Sequence, residues 1–108
     1  MFARILTFEV KLEEREKFVN LMKDQVLPML KKQVGFLEFL PFFEKKAKKE
    51  RVLAISLWTT RRDAERYERD AYPRVLELLK PFLVSPVEVT LSNLETAICD
   101  RFVDALAV

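Results

Sequence analysis

Two of the predicted strands carry large apolar side chains on both faces, and this feature restricts the possible folds more than any other. The first strand covers residues 36–44 (FLEFLPFFE), and the second covers residues 51–60 (RVLAISLWTT). Alternation along the first strand is expected to place Phe36, Leu40 and Phe42 on one face and Leu37, Phe39 and Phe43 on the other. Antiparallel sheets commonly keep one polar face towards water. We therefore expect both faces of this sheet to be covered.

The remaining periodic segments complete the order β-α-β-β-α-β. The predicted elements are, in chain order, a strand at 2–11, a helix at 13–34, the two strands above, helices at 61–71 and 73–83, and a strand at 86–99. This order is the ferredoxin-like pattern, in which helices pack on one face of an antiparallel sheet. The predicted fold class is therefore α+β.

Several residues restrict the geometry of these elements. Pro28 is expected to kink the first helix, because proline cannot donate to the carbonyl four residues earlier. Gly35 stands where a helix commonly ends. Pro41 predicts that its strand lies at an edge or carries a bulge. The charged run KKAKKER at 45–51 is expected to be the hairpin connection, with a charged tip that discourages edge pairing.

The helices can cover only one apolar face of this sheet. A second copy of the same sheet is the simplest cover for the other face, in a symmetric dimer. Burial of five large side chains there contributes on the order of 10 kcal/mol before the costs of association. We therefore expect a homodimer that pairs through the sheet faces. The single domain spans 1–108, with its core at about 2–99 and a tail at 100–108 whose Phe102, Val103 and Leu106 are expected to pack on the dimer.

The residue counts exclude several classes of protein. The chain has no histidine, one cysteine and one glycine. It therefore has no His-based triad or zinc site, no internal disulfide and no glycine-rich nucleotide loop. We expect neither a cofactor nor a metal. The formal net charge of +2 gives no reason to expect nucleic acid as a partner.

The N-terminal segment and the single cysteine indicate in which cellular compartment the protein is expected. The segment MFARILTFEVKLEER is expected to hold neither a signal sequence nor a membrane span, because charges interrupt it. Cys99 has one basic neighbour, Arg101, and is expected to be inert. The sequence therefore predicts a cytoplasmic protein that does not bind membranes.

Two segments resemble the antibiotic biosynthesis monooxygenase (ABM) family. The passage VLPMLKKQVGFLEF (26–39) resembles the family's helix-to-strand transition, with a proline late in the helix and Gly-Phe at the start of the strand. The passage SLWTTRRDAERYE (56–68) resembles its strand-end tryptophan, polar turn and helix with an aromatic residue about nine positions on. The resemblance covers roughly residues 2–98.

The resemblance implies a dimeric α+β barrel, in which two ferredoxin-like sheets face each other. It also implies relatives that include cofactor-independent oxygenases of aromatic molecules, quinol oxygenases and haem-degrading oxygenases. The haem-degrading branch ligates iron through a histidine on the second helical region, where this sequence reads Val-Leu-Glu-Leu at 75–78. The first-strand asparagine of that branch is replaced near Thr7. Haem ligation of the ordinary kind is therefore not expected.

Three aromatic residues are the candidate catalytic residues. The resemblance implies a pocket between sheet and helices lined by Trp58, whose indole could bind a substrate oxygen; alternatively Trp58 closes the core. Tyr67 and Tyr72 could each act as a general acid or a hydrogen-bond donor, or could simply pack their rings.

Four polar residues are the candidate substrate-binding residues, namely Thr7, Glu38, Ser56 and Arg74. Arg4 and Glu38 stand among apolar neighbours on predicted strands, where burial of a charge is costly. We expect them to pair across the sheet, with a role of Glu38 as a base as the alternative. Arg74 could stabilise an anion, or could belong to a solvated helix face.

Three functions remain open at this point. The first is a cofactor-free oxygenase acting on a small aromatic or quinol-type molecule, which is able to reduce dioxygen itself. The second is a non-catalytic dimer that binds a small molecule or serves in stress. The third is a purely structural interaction domain. An ionisable group that points into the cavity would favour catalysis, whereas a cavity lined by hydrocarbon alone would favour binding.

Overall fold

Four strands form one antiparallel sheet on which the whole fold is built. They are β1 (Phe2–Lys11), β2 (Phe36–Lys46), β3 (Lys49–Trp58) and β4 (Glu88–Asn93), in the spatial order β2-β3-β1-β4. The computed structural model describes residues 1–101, so the predicted packing of Phe102, Val103 and Leu106 lies outside the described residues.

The helices pack on one face of the sheet, which we call the helix face. They are α1 (Arg15–Leu21), α2 (Leu27–Lys31), α3 (Arg61–Asp70) and α4 (Tyr72–Leu79), with a π-helical segment at Met22–Val26 and 3₁₀ turns at Leu12–Glu14 and Lys80–Phe82. The predicted α+β class, the ferredoxin-like order and the antiparallel sheet are confirmed. None of the helices in the described part of the chain is long and apolar enough to cross a membrane.

The expected disturbance at Pro28 takes the form of the π-helical segment. Pro28 has no amide hydrogen to give to the carbonyl of Asp24, so regular α-helical bonding fails at this point. The amide of Leu27 donates instead to the carbonyl of Met22, five residues earlier. This wider turn lies on the helix face, where Val26 belongs to the core and Met22 packs against it. Single π-helical turns frequently occur at functional sites.

The predicted division of β2 between the two faces is correct from Phe39 to Phe43 and wrong for Phe36 and Leu37, because a bulge interrupts the strand between Phe36 and Glu38. Phe36 pairs with Trp58 and Glu38 pairs with Leu57, so one extra residue is inserted between them. This insertion reverses the alternation for the residues that precede it. The helix face of β2 carries Phe36, Phe39 and Phe43, and the opposite face carries Leu37, Leu40 and Phe42.

The core fills the space between the sheet and the helices. Its buried apolar residues are Phe2, Leu6, Phe8 and Val10 from β1, Val52, Ala54 and Trp58 from β3, and Phe18, Val26, Leu30, Ala64, Tyr67, Tyr72, Val75 and Leu79 from the helices. The other face of the sheet has no helical layer among residues 1–101, although Leu94, Cys99 and Arg101 line a cavity against it, and we call it the open face. It carries Ile5, Leu37, Leu40, Phe42, Leu53, Ile55 and Leu57.

Two predicted strand boundaries differ from the structure. The hairpin turn is confined to Ala47 and Lys48, so most of the predicted connection at 45–51 is strand. β4 ends at Asn93 rather than at residue 99, because Asn93 pairs with Phe2 at the very start of β1. One further backbone hydrogen bond follows, from the amide of Leu94 to the carbonyl of Met1 at 3.0 Å. Pro41 lies on an edge strand, as predicted.

Gly35 lies in the turn between α2 and β2 and packs against the start of α3. It has a φ of +80°, and the side chain of Asp63 occupies the place that a Cβ at this residue would take. Asp63 belongs to the N-terminus of α3, where its amide donates to the Thr60 hydroxyl at 3.1 Å. The backbone of Gly35 also accepts a hydrogen bond from the amide of Thr59 at 2.8 Å.

We expect Gly35→Ala to lower the free energy of unfolding by about 2 kcal/mol, through the left-handed backbone and the collision with Asp63. Urea denaturation measures this change. The matched control is Val34→Ala, because Val34 is exposed and its truncation is expected to cost within about 0.5 kcal/mol. Equal effects of the two variants would contradict this account of Gly35.

Candidate functional site

An apolar groove runs along the helix face, between the first helical region and the β2–β3 hairpin. It has a volume of about 290 Å³, close to the lower end of the range for ligand pockets. We call it the helix-face groove, and its lining residues are Phe18, Val19, Met22, Lys23, Leu27, Phe39, Pro41, Phe43, Val52 and Ala54. Lys23 is the single charged side chain among them.

A second, much smaller cavity adjoins the groove and lies deeper between sheet and helices. We call it the inner chamber; it is lined by Arg4, Leu6, Phe8, Met22, Val26, Leu30, Phe39, Ala54, Ser56, Tyr67, Val75 and Leu79. Met22, Phe39 and Ala54 line both cavities, so the two are adjacent. The chamber measures about 20 Å³, which leaves room for roughly one water molecule or one ligand oxygen.

Arg4 is the charged residue of the inner chamber. Its side chain is 1% exposed, and its Cζ lies 4.4 Å from the centre of the Tyr72 ring and 5.1 Å from that of Tyr67. The nearest carboxylate is that of Glu68, whose Oε1 lies 3.7 Å from Nη2. Neither Nε nor Nη2 has a hydrogen-bond partner among residues 1–101. Cation–π contacts compensate part of the desolvation, and hydrogen bonding from Arg4 slightly opposes the rise that burial causes in the pKa of Tyr67 and of Tyr72. In the described part of the chain, however, Nε and Nη2 find no acceptor of good geometry.

Trp58 lies beside the chamber, in the core. It is fully buried, stacks on Tyr67 with ring centres 4.9 Å apart, and contacts the edge of Phe36 at 5.6 Å. Its indole N–H donates to the Ser56 hydroxyl at 2.9 Å. The Ser56 hydroxyl in turn lies 3.5 Å from the carbonyl of Arg4, to which it donates. Trp58 therefore holds Ser56 and Tyr67 in place rather than lining either cavity.

The two tyrosines are neutral hydrogen-bond donors at neutral pH. Burial raises the pKa of Tyr67 to about 12, and the positive charge of Arg4 opposes this shift only in part. Burial also raises the pKa of Tyr72, against the same opposing charge. Neither phenol can therefore serve as a base near pH 7, and Tyr67 lines the chamber with its hydroxyl protonated.

The raised pKa of Tyr67 predicts a loss of stability in alkali. Unfolding returns the phenol to its ordinary value of 10.0, while the folded protein keeps the proton up to about pH 12. The contribution of Tyr67 is therefore fully present below pH 10 and decreases as the pH rises from there towards 12. Urea denaturation across this range should show a steeper fall for the wild type than for Tyr67→Phe. Parallel curves would show that Tyr67 titrates normally.

The structure brings four of the predicted site residues together and separates the other three. Trp58, Tyr67, Tyr72 and Ser56 surround Arg4 on the helix face. Glu38 and Thr7 belong to the open face, and Arg74 is exposed and pairs with Glu77 at 3.5 Å.

The predicted pairing of Arg4 with Glu38 is wrong. Arg4 points to the helix face and approaches Glu68, while Glu38 points to the open face and lies 3.6 Å from Arg101. In addition, β3 lies between the strands that carry the two residues. Alternation along β1 already contained a signal, since Arg4 has the same parity as Phe2, Leu6 and Phe8 and so shares their buried face. The groove residues of α1 and the π-helical segment were missed because all of them except Lys23 are apolar.

Comparison with known proteins supports the resemblance through structure. No family model matches the sequence, and no curated protein matches it. Among solved structures, the chain is similar to a protein of Deinococcus radiodurans described as an antibiotic biosynthesis monooxygenase. The TM-score is 0.72 and the identity 14%, over 92% of this chain and 97% of that one. The resemblance to the ABM family is thus confirmed at the level of the fold.

Two further similar structures contain bound ligands. A monooxygenase of Streptomyces coelicolor in complex with nanaomycin D has a TM-score of 0.64 and 23% identity, over 91% of this chain and 90% of that one. A haem degrader of Mycobacterium tuberculosis, with two haems in its active site, has a TM-score of 0.68 and 13% identity, over 88% and 96% of the two chains. At these identities the likeness establishes a shared fold.

Proposed function

We propose that this protein is a cofactor-independent oxygenase that acts on a small aromatic or quinol-type molecule. The observation that carries the proposal is the junction of an apolar groove with a chamber in which Arg4, Ser56 and Tyr67 converge. The groove suits the rings of such a molecule, and the chamber suits one oxygen attached to them. Monooxygenases are among the proteins that share the fold.

The reaction requires little from the protein beyond this binding. An electron-rich ring system can supply all four electrons that dioxygen takes up. One oxygen atom becomes a carbonyl oxygen on the oxidised ring carbon. The other leaves as water, with the single hydrogen of that carbon and the hydrogen of the ring hydroxyl, which itself becomes the second carbonyl. The protein orients the substrate and keeps bulk water away, which the hydrocarbon walls of the groove are suited to do.

One observation favours a second function, the binding of a small molecule without catalysis. Among the described residues, no carboxylate lines the groove or the chamber, and Tyr67 keeps its proton at neutral pH. A reaction that starts by removing a proton from the substrate would therefore depend on Arg4 to stabilise the product anion. Binding without oxygen consumption would support this alternative.

We further propose that the working unit is a homodimer paired through the open face. Ile5, Ile55 and Leu40 lie side by side across three strands of that face, and rows of this kind are self-complementary about a two-fold axis. The protein is proposed to act in the cytoplasm, where a lone cysteine stays reduced.

Oxygen consumption with a panel of hydroquinones tests the proposed activity. The wild type is expected to stimulate uptake with at least one of them. Val19→Trp should abolish the stimulation, because Val19 lines the groove and a larger side chain would fill it. Asn20→Trp is the matched control, since Asn20 is exposed on the same helix. No stimulation by the wild type, or equal activity of the two variants, would contradict the proposal.

A further inference from the structure

The inner chamber holds a buried positive charge whose hydrogen-bonding capacity is only partly used. Arg4 is 1% exposed, and its Nε and Nη2 have no partner among residues 1–101. A buried donor without an acceptor is costly, and more so when it is charged. Natural proteins seldom keep such a group unless it meets something that the folded chain alone does not supply.

The surroundings of Arg4 leave a positive potential in the chamber. Among residues 1–101, the titratable and charged groups that face it are Tyr67 and Glu68 from α3 and Tyr72 from α4. Both phenols stay neutral, because burial raises their pKa. The Glu68 carboxylate is 42% exposed and lies 3.7 Å away, so water screens it and no close hydrogen bond joins the pair. An anion in the chamber would therefore meet an incompletely neutralised cation.

The chamber is also the right size for one specific part of a ligand. It has room for roughly one oxygen atom, while the adjoining groove is apolar and far larger. Besides Arg4, its polar lining residues are Ser56 and Tyr67. A ring in the groove would extend a substituent oxygen past Met22, Phe39 and Ala54, which line both spaces.

We infer that Arg4 binds the anionic oxygen of an aromatic ligand, so that the molecules this site accepts are aryl anions, either phenolates or aryl carboxylates. The inference rests on the proposed function for the location of the ring, and it adds the substrate class and the residue that selects it. Arg4 also explains how a site without a carboxylate base can hold a substrate in its electron-rich, deprotonated form. The proton of a phenol is left in the solvent when the ligand binds.

Anaerobic ligand titration tests this inference without any turnover. The probes are 2-naphthol, 2-naphthoate and 2-methoxynaphthalene, which share one ring system and differ in the charge on their oxygen atoms. Absorbance reports how much bound 2-naphthol is ionised. The proteins are the wild type, Arg4→Met and Arg4→Lys. Arg4→Met is expected to fold, since an apolar side chain of similar length in place of a buried charge is often tolerated.

The wild type is expected to bind naphtholate or naphthoate at least about tenfold more tightly than 2-methoxynaphthalene. The pKa of 2-naphthol should fall by at least about one unit on binding, which corresponds to a tenfold preference for its ionised form over its neutral form. Arg4→Met should lose this preference and still bind 2-methoxynaphthalene, while Arg4→Lys should keep part of it. Preference for one of the two anions assigns the site to phenolates or to carboxylates.

Three results would overturn the inference. They are equal affinity of the wild type for the neutral and the anionic probes, an unchanged preference in Arg4→Met, and no binding of any probe. If Arg4→Met does not fold, the affinities of the wild type and of Arg4→Lys for the three probes still test the inference. An anion preference that Arg4→Lys leaves unchanged would contradict it. Anion selectivity without oxygen uptake would refute the oxygenase and leave the role of Arg4 intact. Oxygen uptake without anion selectivity would refute the role of Arg4 and leave the proposed oxygenase activity intact.

Discussion

Leu40→Asp is expected to convert a dimer into a folded monomer. Leu40 lies next to Ile55 on the open face, at the centre of the proposed interface. A two-fold axis would bury one new carboxylate from each protomer among apolar side chains, and an unpaired buried charge costs several kcal/mol. Sedimentation velocity at micromolar concentration should therefore show the wild type at twice the chain mass and the variant at the chain mass.

A matched control separates the effect of position from that of charge. Ala47→Asp adds the same charge at the exposed hairpin turn, far from the open face, and should remain dimeric. Near-UV circular dichroism confirms that each variant keeps its tertiary structure. A wild type that sediments as a folded monomer would refute the dimer, and so would a dimeric Leu40→Asp.

Trp58→Ala is expected to lower the free energy of unfolding by about 3–5 kcal/mol, the usual cost of removing a large aromatic side chain from a core. Trp58 is fully buried between Phe36 and Tyr67, and its loss would also leave the Ser56 hydroxyl without its indole donor. Urea denaturation measures the change from the shift in midpoint.

Trp58→Phe is the companion variant. It keeps most of the aromatic packing and loses the indole N–H, so it should be clearly more stable than Trp58→Ala. If Trp58→Ala cost less than about 1 kcal/mol, the residue would not be the core element described here.

The sequence was sufficient to predict the order of the strands and helices and the place of Pro41 on an edge strand. Apolar spacing predicted β-α-β-β-α-β, since period-2 and period-3.6 patterns are set locally. Pro41 was interpreted correctly, because the missing donor is a property of a single residue. Gly35 was expected to end the helix, which instead ends at Lys31, and the glycine lies in the turn that follows. The boundaries of β4 depended instead on where its partner β1 begins, which is a tertiary fact.

The candidate site was predictable only in part. The sequence indicated Ser56, Trp58 and Tyr67 as candidate residues, but it could not predict the cavity beside them. The bulge at Leu37 decides which residues at the start of β2 face the helices. The amino-acid composition of a strand does not show where a bulge will occur. Arg4 was noticed as a costly charge, yet its neighbours Tyr67 and Tyr72 come from elements about 60 residues away along the chain. Local patterns carry no information about such contacts.

The central claim is that an aromatic ligand binds in the helix-face groove, and the three methionines of the chain test it directly. Met22 lines the groove, Met1 lines the open face, and Met29 packs against the core outside both. With ¹³C-methyl-labelled methionine, each NMR signal is assigned by a single Met→Leu variant, and 2-naphthol is then added under anaerobic conditions. We expect the Met22 methyl signal to shift and broaden while those of Met1 and Met29 stay in place. A shift confined to Met1, or no shift at Met22 when the ligand is shown to bind, would contradict the claim.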